Sequence, residues 1–172
     1  MASDCPPLAD SYPSEPDAFA SLLDGTNICK STFLATDYLN NFNELVMLFG
    51  LLADMPEVLD EIRDWQALSY IDHFEQSGFP YRELAIAGWH RADSNRREAL
   101  DEFVDVSASL VEMRLAELEG HLATGDMAAF TQVCEEAKNT LNTAHDWATG
   151  LIIGRDGLEA KEIDRLLGTR VV

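Results

Sequence analysis

Four histidines and thirty-one carboxylates are the groups in this 172-residue chain most able to do chemistry. Their spacing decides which chemistry. A carboxylate-bridged di-metal centre in a helical bundle draws on Glu-x-x-His pairs from two helices. The residues three before His73, His90, His121 and His145 are Tyr70, Ala87, Leu118 and Asn142, so that pattern is absent. Glu117 and His121 stand four apart, a spacing that more often makes a surface pair on a helix. His145-Asp146, with His121 before it and Asp164 after it, has the residue order of a histidine–aspartate metal hydrolase. Two adjacent residues match by chance easily. No metal or other cofactor is therefore expected; if a metal binds, His121, His145 and Asp146 are the ligands to test. The chain has no phosphate-binding P-loop, no glycine-rich dinucleotide loop after a strand and no G-x-S-x-G elbow. Cys134 and His145 are eleven residues apart on one predicted helix. That is about three turns, too far for a nucleophile–base pair. An enzyme is the less favoured reading.

A second polar group lies in TDYLNNFNE, residues 36–44, inside an apolar pattern. On a helix, Asp37, Asn41 and Glu44 share one side, and Thr36, Asn40 and Asn43 form an adjacent strip. Arg114 interrupts an apolar stripe elsewhere, and a guanidinium there needs a carboxylate partner or a path to water. Asp37, Asn41, Glu44 and Arg114 are thus expected to form a polar network that fixes helix register. The plain alternative is a solvated shoulder.

A third group is DMPEVLDEIRDW, residues 54–65, where five carboxylates precede Trp65. Tyr70 and Phe74 follow, then Phe79, Tyr81 and Trp89. Aromatics rimmed by charge are characteristic of protein-binding surfaces. Asp60, Glu61, Asp64, Trp65, Tyr70 and Phe74 are the expected partner-binding residues. Taken singly, each aromatic is better suited to the core; as a group, the six suggest a shaped groove or pocket.

These groups need elements to hold them. Alternating steps of three and four over Ile28, Ser31, Ala35, Tyr38, Phe42, Leu45, Phe49 and Leu52 predict a long helix over 27–54. Two more long helices are predicted over 95–123 and 127–153, joined by Thr124-Gly125-Asp126. The first of these carries Leu100, Val104, Ser107, Val111, Leu118 and Leu122. The second carries Phe130, Cys134, Ala137, Leu141, Ala144, Ala148 and Ile152. Short helices are predicted from residue 16 to Gly25, in pieces between Met55 and Asp93, and after Gly157. No stretch alternates as a strand does. The expected fold is all-α: an antiparallel bundle of three long helices capped by several short ones. Residues 1–15, with three prolines, read as a flexible tail, and 16–172 as one helical domain.

The net charge of −19 and isoelectric point near 4.3 set the class of partner. Such a field opposes direct binding to nucleic acid or anionic membranes and favours basic partners. Three cysteines without a CxxC motif indicate neither a disulfide framework nor a zinc knuckle. The apolar run over 45–53 is far short of the roughly 20 residues that span a bilayer. The acidic, proline-rich start lacks the form of a signal peptide. The expected protein is soluble and cytoplasmic. Its expected function is that of a non-enzymatic acidic helical interaction protein: an adaptor, assembly factor or dedicated chaperone for a basic protein partner. The Tyr–Phe seam would also suit a homodimer. The alternative is a ligand- or metal-binding bundle, a sensor or metal-dependent hydrolase, with a pocket between the long helices and the aromatic 65–89 segment.

Overall fold

The computed structural model describes residues 12–157 and 160–167. Most of the expected tail, with Cys5, lies outside the described residues, as do 168–172. Helix α1 spans Pro16–Leu22. Pro16 suits the first helical position because its missing N–H would have no partner there. Glu15 is the cap residue. Residues 12–15, assigned above to the tail, are anchored. The Tyr12 ring meets Phe19 edge-on at 6.1 Å. Arg91 lies 4.5 Å above the Phe19 ring, and its Nη2 reaches the carbonyls of Tyr12 and Pro13 at 3.4 Å.

The long helix expected over 27–54 is not continuous. Residues 28–35 form a tight loop closed by an isolated Ile28–Ala35 bridge. A 3₁₀ turn at Thr36–Leu39 then runs into α2, Asn40–Leu51. Phe33 adopts a left-handed φ of 64° that no helix accepts. The loop's polar groups are satisfied by other means. The Cys29 N–H donates to Leu34 O at 2.8 Å, and the Thr32 hydroxyl donates to the Ile152 carbonyl. The Ala35 N–H donates to the Tyr70 hydroxyl at 2.8 Å. Ile28 and Ala35 are buried because the loop folds them inward, while Ser31 is exposed. Residues 27–54 therefore do not supply a long continuous helix.

The connecting region follows its predicted breaks. A 3₁₀ turn at Pro56–Val58 leads into α3, Leu59–Asp64. Helix α4 is Tyr70–Gln76, capped by the Ser69 hydroxyl, and α5 is Arg82–Arg91.

Helix α6 spans Ser94–Thr124. Its cap is Asp93, whose carboxylate accepts the N–H groups of Asn95 and Arg96. Gly125 ends it at φ 74°, a conformation open to glycine at little cost. Helix α7 spans Met127–Ile152, capped by Asp126. Arg96 donates to Leu151 O at 2.8 Å, and Arg114 lies 3.7 Å from Glu136. With the turn at Gly125, these contacts fix the two long helices as an antiparallel hairpin. Helix α8, Ala160–Leu167, packs on both, and α2 packs on α7.

The apolar stripe of α7 is buried from Phe130 to Ile152, and that of α6 from Leu100 to Leu118. Aromatics join the short helices to the hairpin. Phe42 of α2 meets Phe103 of α6 at 4.5 Å. Tyr70 stacks on Trp89 at 4.7 Å and tilts against Tyr38 at 5.1 Å. Full burial of such a ring contributes about 1.5–3 kcal/mol, whereas an exposed ion pair is worth roughly 0–1 kcal/mol. Aromatic packing, not surface charge, holds the fold. No described helix is long and apolar enough to cross a membrane.

Candidate functional site

Two clefts flank α2, and TDYLNNFNE lines both. The first, of about 430 Å³, lies between α2 and α3. Asn41, Glu44 and Leu48 form one wall; Glu61, Asp64, Trp65, Gln66 and Leu68 form the other. The walls are stitched together. Trp65 Nε1 donates to Asn41 O at 3.1 Å, and Asn41 Nδ2 donates to Gln66 O at 2.9 Å. The Tyr38 hydroxyl donates to Leu68 O at 3.0 Å. The half-buried Trp65 ring is held against Phe42 at 5.6 Å. Glu44, Glu61 and Asp64 are exposed, and none forms an ion pair among the described residues. The nearby cation, Arg63, is engaged by Asp60 and Glu119. The cleft therefore presents three uncompensated carboxylates around an indole.

The sequence-derived partner residues divide accordingly. Glu61, Asp64 and Trp65 come together in this cleft. Asp60 is exposed beside it but paired with Arg63. Tyr70 and Phe74 are 1% and 0% exposed and face the aromatic core, so they are not offered to a partner. Burial raises the Tyr70 phenol well above its ordinary range; the hydroxyl's bond with Ala35 only partly opposes this.

The expected polar network does not assemble. Arg114 pairs with Glu117 at 2.7 Å and approaches Glu136 at 3.7 Å, on its own helix and on α7, instead of Asp37 or Glu44. Asn41 and Glu44 line the first cleft, and Asp37 lines the second.

The second cleft, of about 360 Å³, lies between the start of α2 and the last turns of α7. It gathers the carboxamides of Asn27, Asn40 and Asn43, the hydroxyls of Thr36 and Thr149, Asp37, His145 and the apolar Leu39. His145 is half-buried, and its Nε2 is shielded from solvent with no hydrogen-bond partner. Burial lowers its pKa, against the raising influence of Asp146. His73 approaches Asp37 from α4; burial lowers its pKa too, against a bond to the Asp37 carbonyl and the Asp37 charge.

The conditional metal ligands are not brought together. His121 sits beside the Gly125 turn, whereas His145 and Asp146 lie eighteen or more residues along α7 from Met127. At 1.5 Å per residue that is roughly 27 Å. Among the described residues, no three His, Cys, Asp or Glu side chains converge as a metal site. The side chain of Asp164 lies outside the described set.

Sequence reasoning placed Thr36, Asn40 and Asn43 on one strip but missed their neighbours across the cleft. The spacing of His145 and Thr149, four apart on one helix face, was an available signal. Asn27 was not, because the loop that places it is not a helix. Compared with protein-family models, curated proteins and solved structures, the chain shows no significant match.

Proposed function

We propose that the protein is a non-enzymatic helical interaction protein, of the adaptor, assembly-factor or dedicated-chaperone kind. It docks a basic segment of a protein partner in the cleft between α2 and α3. One observation carries this reading: Glu44, Glu61 and Asp64 surround the Trp65 ring with no cation among them. A guanidinium or ammonium group fits that arrangement, bonding to carboxylate and lying on the indole face. Charge alone gives a weak site. Exposed pairs supply about 0.2–1 kcal/mol each and a cation–π contact about 0.5–2 kcal/mol. The remainder is assigned to the outward ridge of α2, where Met47 and Leu51 stand four apart at 57% and 42% exposure. Met55 follows at 44%. Flexible methionines suit an adaptable apolar contact.

The test is a titration of Trp65 fluorescence with a synthetic peptide alternating arginine pairs and leucines, at rising sodium chloride. Trp89 and Trp147 are buried and serve as internal controls. Saturable binding that weakens with salt, and is lost in Glu61→Gln/Asp64→Asn, is the expected result. Binding indifferent to those substitutions, or equal affinity for a glutamate-for-arginine peptide, overturns the reading.

A further inference from the structure

We infer that the second cleft binds a small organic cation carrying several N–H donors, of the amine or guanidino class. The site is independent of the partner-docking cleft and uses the opposite flank of α2.

The lining is polar and unoccupied by the protein itself. Of eight lining residues only Leu39 is apolar. No hydrogen bond engages the side chains of the other seven among the described residues. The contrast within α7 is direct. Thr140 and Thr143 turn their hydroxyls back onto the carbonyls of Glu136 and Asn139, at 2.8 and 3.0 Å. Thr149, facing the cleft, does not. His145 Nε2 is the sharpest case, because water does not reach it either. Such a shielded polar atom without a partner is rare in a folded protein.

The chemistry of the lining selects the ligand. No lysine or arginine contributes, so a phosphate or carboxylate meets no counter-charge and faces the field of a −19 chain. Asp37 is the formal charge in the cleft. Around it stand three carboxamides and two hydroxyls, each able to present an oxygen to a donor, and the His145 imidazole. Acceptors that surround one carboxylate complement a cation rich in N–H groups. A metal ion is less suited, since Asp37 and His145 are the only strong ligands present and a protein site normally supplies at least three. The volume lies near the lower end of the roughly 300–1,000 Å³ typical of small-molecule sites.

The experiment follows the His145 imidazole by NMR, assigned by its loss in His145→Gln. The folded full chain is titrated in 0.5 M sodium chloride, which suppresses diffuse attraction to the acidic surface. The probes are agmatine and putrescine, with glucose and acetate as neutral and anionic comparisons. A saturable His145 shift with agmatine or putrescine, and none with acetate or glucose, is expected. Asp37→Asn should weaken it about tenfold, the loss of one charge-assisted bond. Glu112→Gln, which removes an exposed charge of α6 elsewhere, should leave it unchanged. No saturable shift, an equal response to glucose, or a response untouched by Asp37→Asn overturns the inference.

Discussion

The carbonyl oxygen of Phe33 rests against Gly88, and a Cβ built on that glycine would lie 2.2 Å from it. The carbonyl carbon of Phe33 would be 3.2 Å away. The obstacle is backbone, and it is pinned: the Phe33 N–H donates to Cys29 O at 2.7 Å. Gly88→Ala should therefore cost about 3 kcal/mol, the upper range for forcing a methyl into a packed site. Gly120, exposed in the last turns of α6 with nothing within 4 Å of a Cβ built on it, gives the contrast. Gly120→Ala should stabilise by roughly 0.5–1 kcal/mol through helix propensity. Urea midpoints of the two variants decide the matter; a neutral Gly88→Ala would mean that the loop is not held against α5.

Tyr70 offers a test of the same loop through a single atom. Its hydroxyl accepts the Ala35 N–H, and both residues are buried. Tyr70→Phe keeps the ring stack on Trp89 and strands that N–H. The expected loss is about 1–3 kcal/mol. Tyr81→Phe, at a residue 42% exposed, should change stability by less than about 0.5 kcal/mol. Equal effects would argue against the bond.

Acid should weaken the protein through its histidines before its carboxylates titrate. Burial lowers the pKa of His73 and of His145 in the folded state. The unfolded chain takes up those protons near pH 6.5, the folded chain only at lower pH. The stability involved is fully present above the unfolded pKa and is lost as pH falls through the folded one. Stability should thus decline in wild type as pH falls below about 6.5, and less steeply in His145→Gln. Relief of carboxylate repulsion acts in the opposite sense nearer pH 4. The informative quantity is the difference between the two proteins in urea midpoint at pH 7, 6 and 5; parallel curves would remove His145 from the account.

Salt should stabilise the fold. Repulsion within a −19 chain opposes compaction, while the exposed pairs of Arg63 and Lys30 are screened by water and contribute little. Raising sodium chloride from 0.1 to 1 M shortens the screening length from about 10 to 3 Å. Both effects weaken, and the repulsion is the larger. A rise in Tm of roughly 5 °C, equivalent to about 1.5–2 kcal/mol, is expected for a chain of this size. A falling Tm would show that local ion pairs outweigh the net charge.

The long hairpin was legible almost to the residue. Its apolar spacing is regular, Asp126 and Gly125 mark the turn, and every predicted stripe residue of α7 is buried. The segment 27–35 was misread for the same reason that the hairpin was read well. Ile28 and Ala35 stand at helical spacing, yet both are buried by a loop. What bends that loop is Gly88 and Tyr70, far along the chain, and no local pattern reports them. The candidate sites follow suit. Glu61, Asp64 and Trp65 are neighbours in sequence and in space. Glu44 joins them only because α2 lies along α3, and His145 meets Asn40 only because α2 crosses the end of α7. Tyr70 and Phe74 were assigned to a surface because composition cannot say which side of a short helix faces inward.

The 28–35 loop also sets an order of events in time. Its anchors are distant: Ala35 to Tyr70 spans 35 positions, and Thr32 to Ile152 spans 120. The helices can form from near-neighbour contacts, but this loop has nothing to close upon until α4, α5 and α7 have arrived. Contacts that form late lie on the native side of the folding barrier. Damage to them hastens escape from the native state and barely slows its formation. Thr32→Val should therefore act chiefly on the unfolding limb of a stopped-flow chevron, giving a protein that refolds at the normal speed but does not stay folded as long.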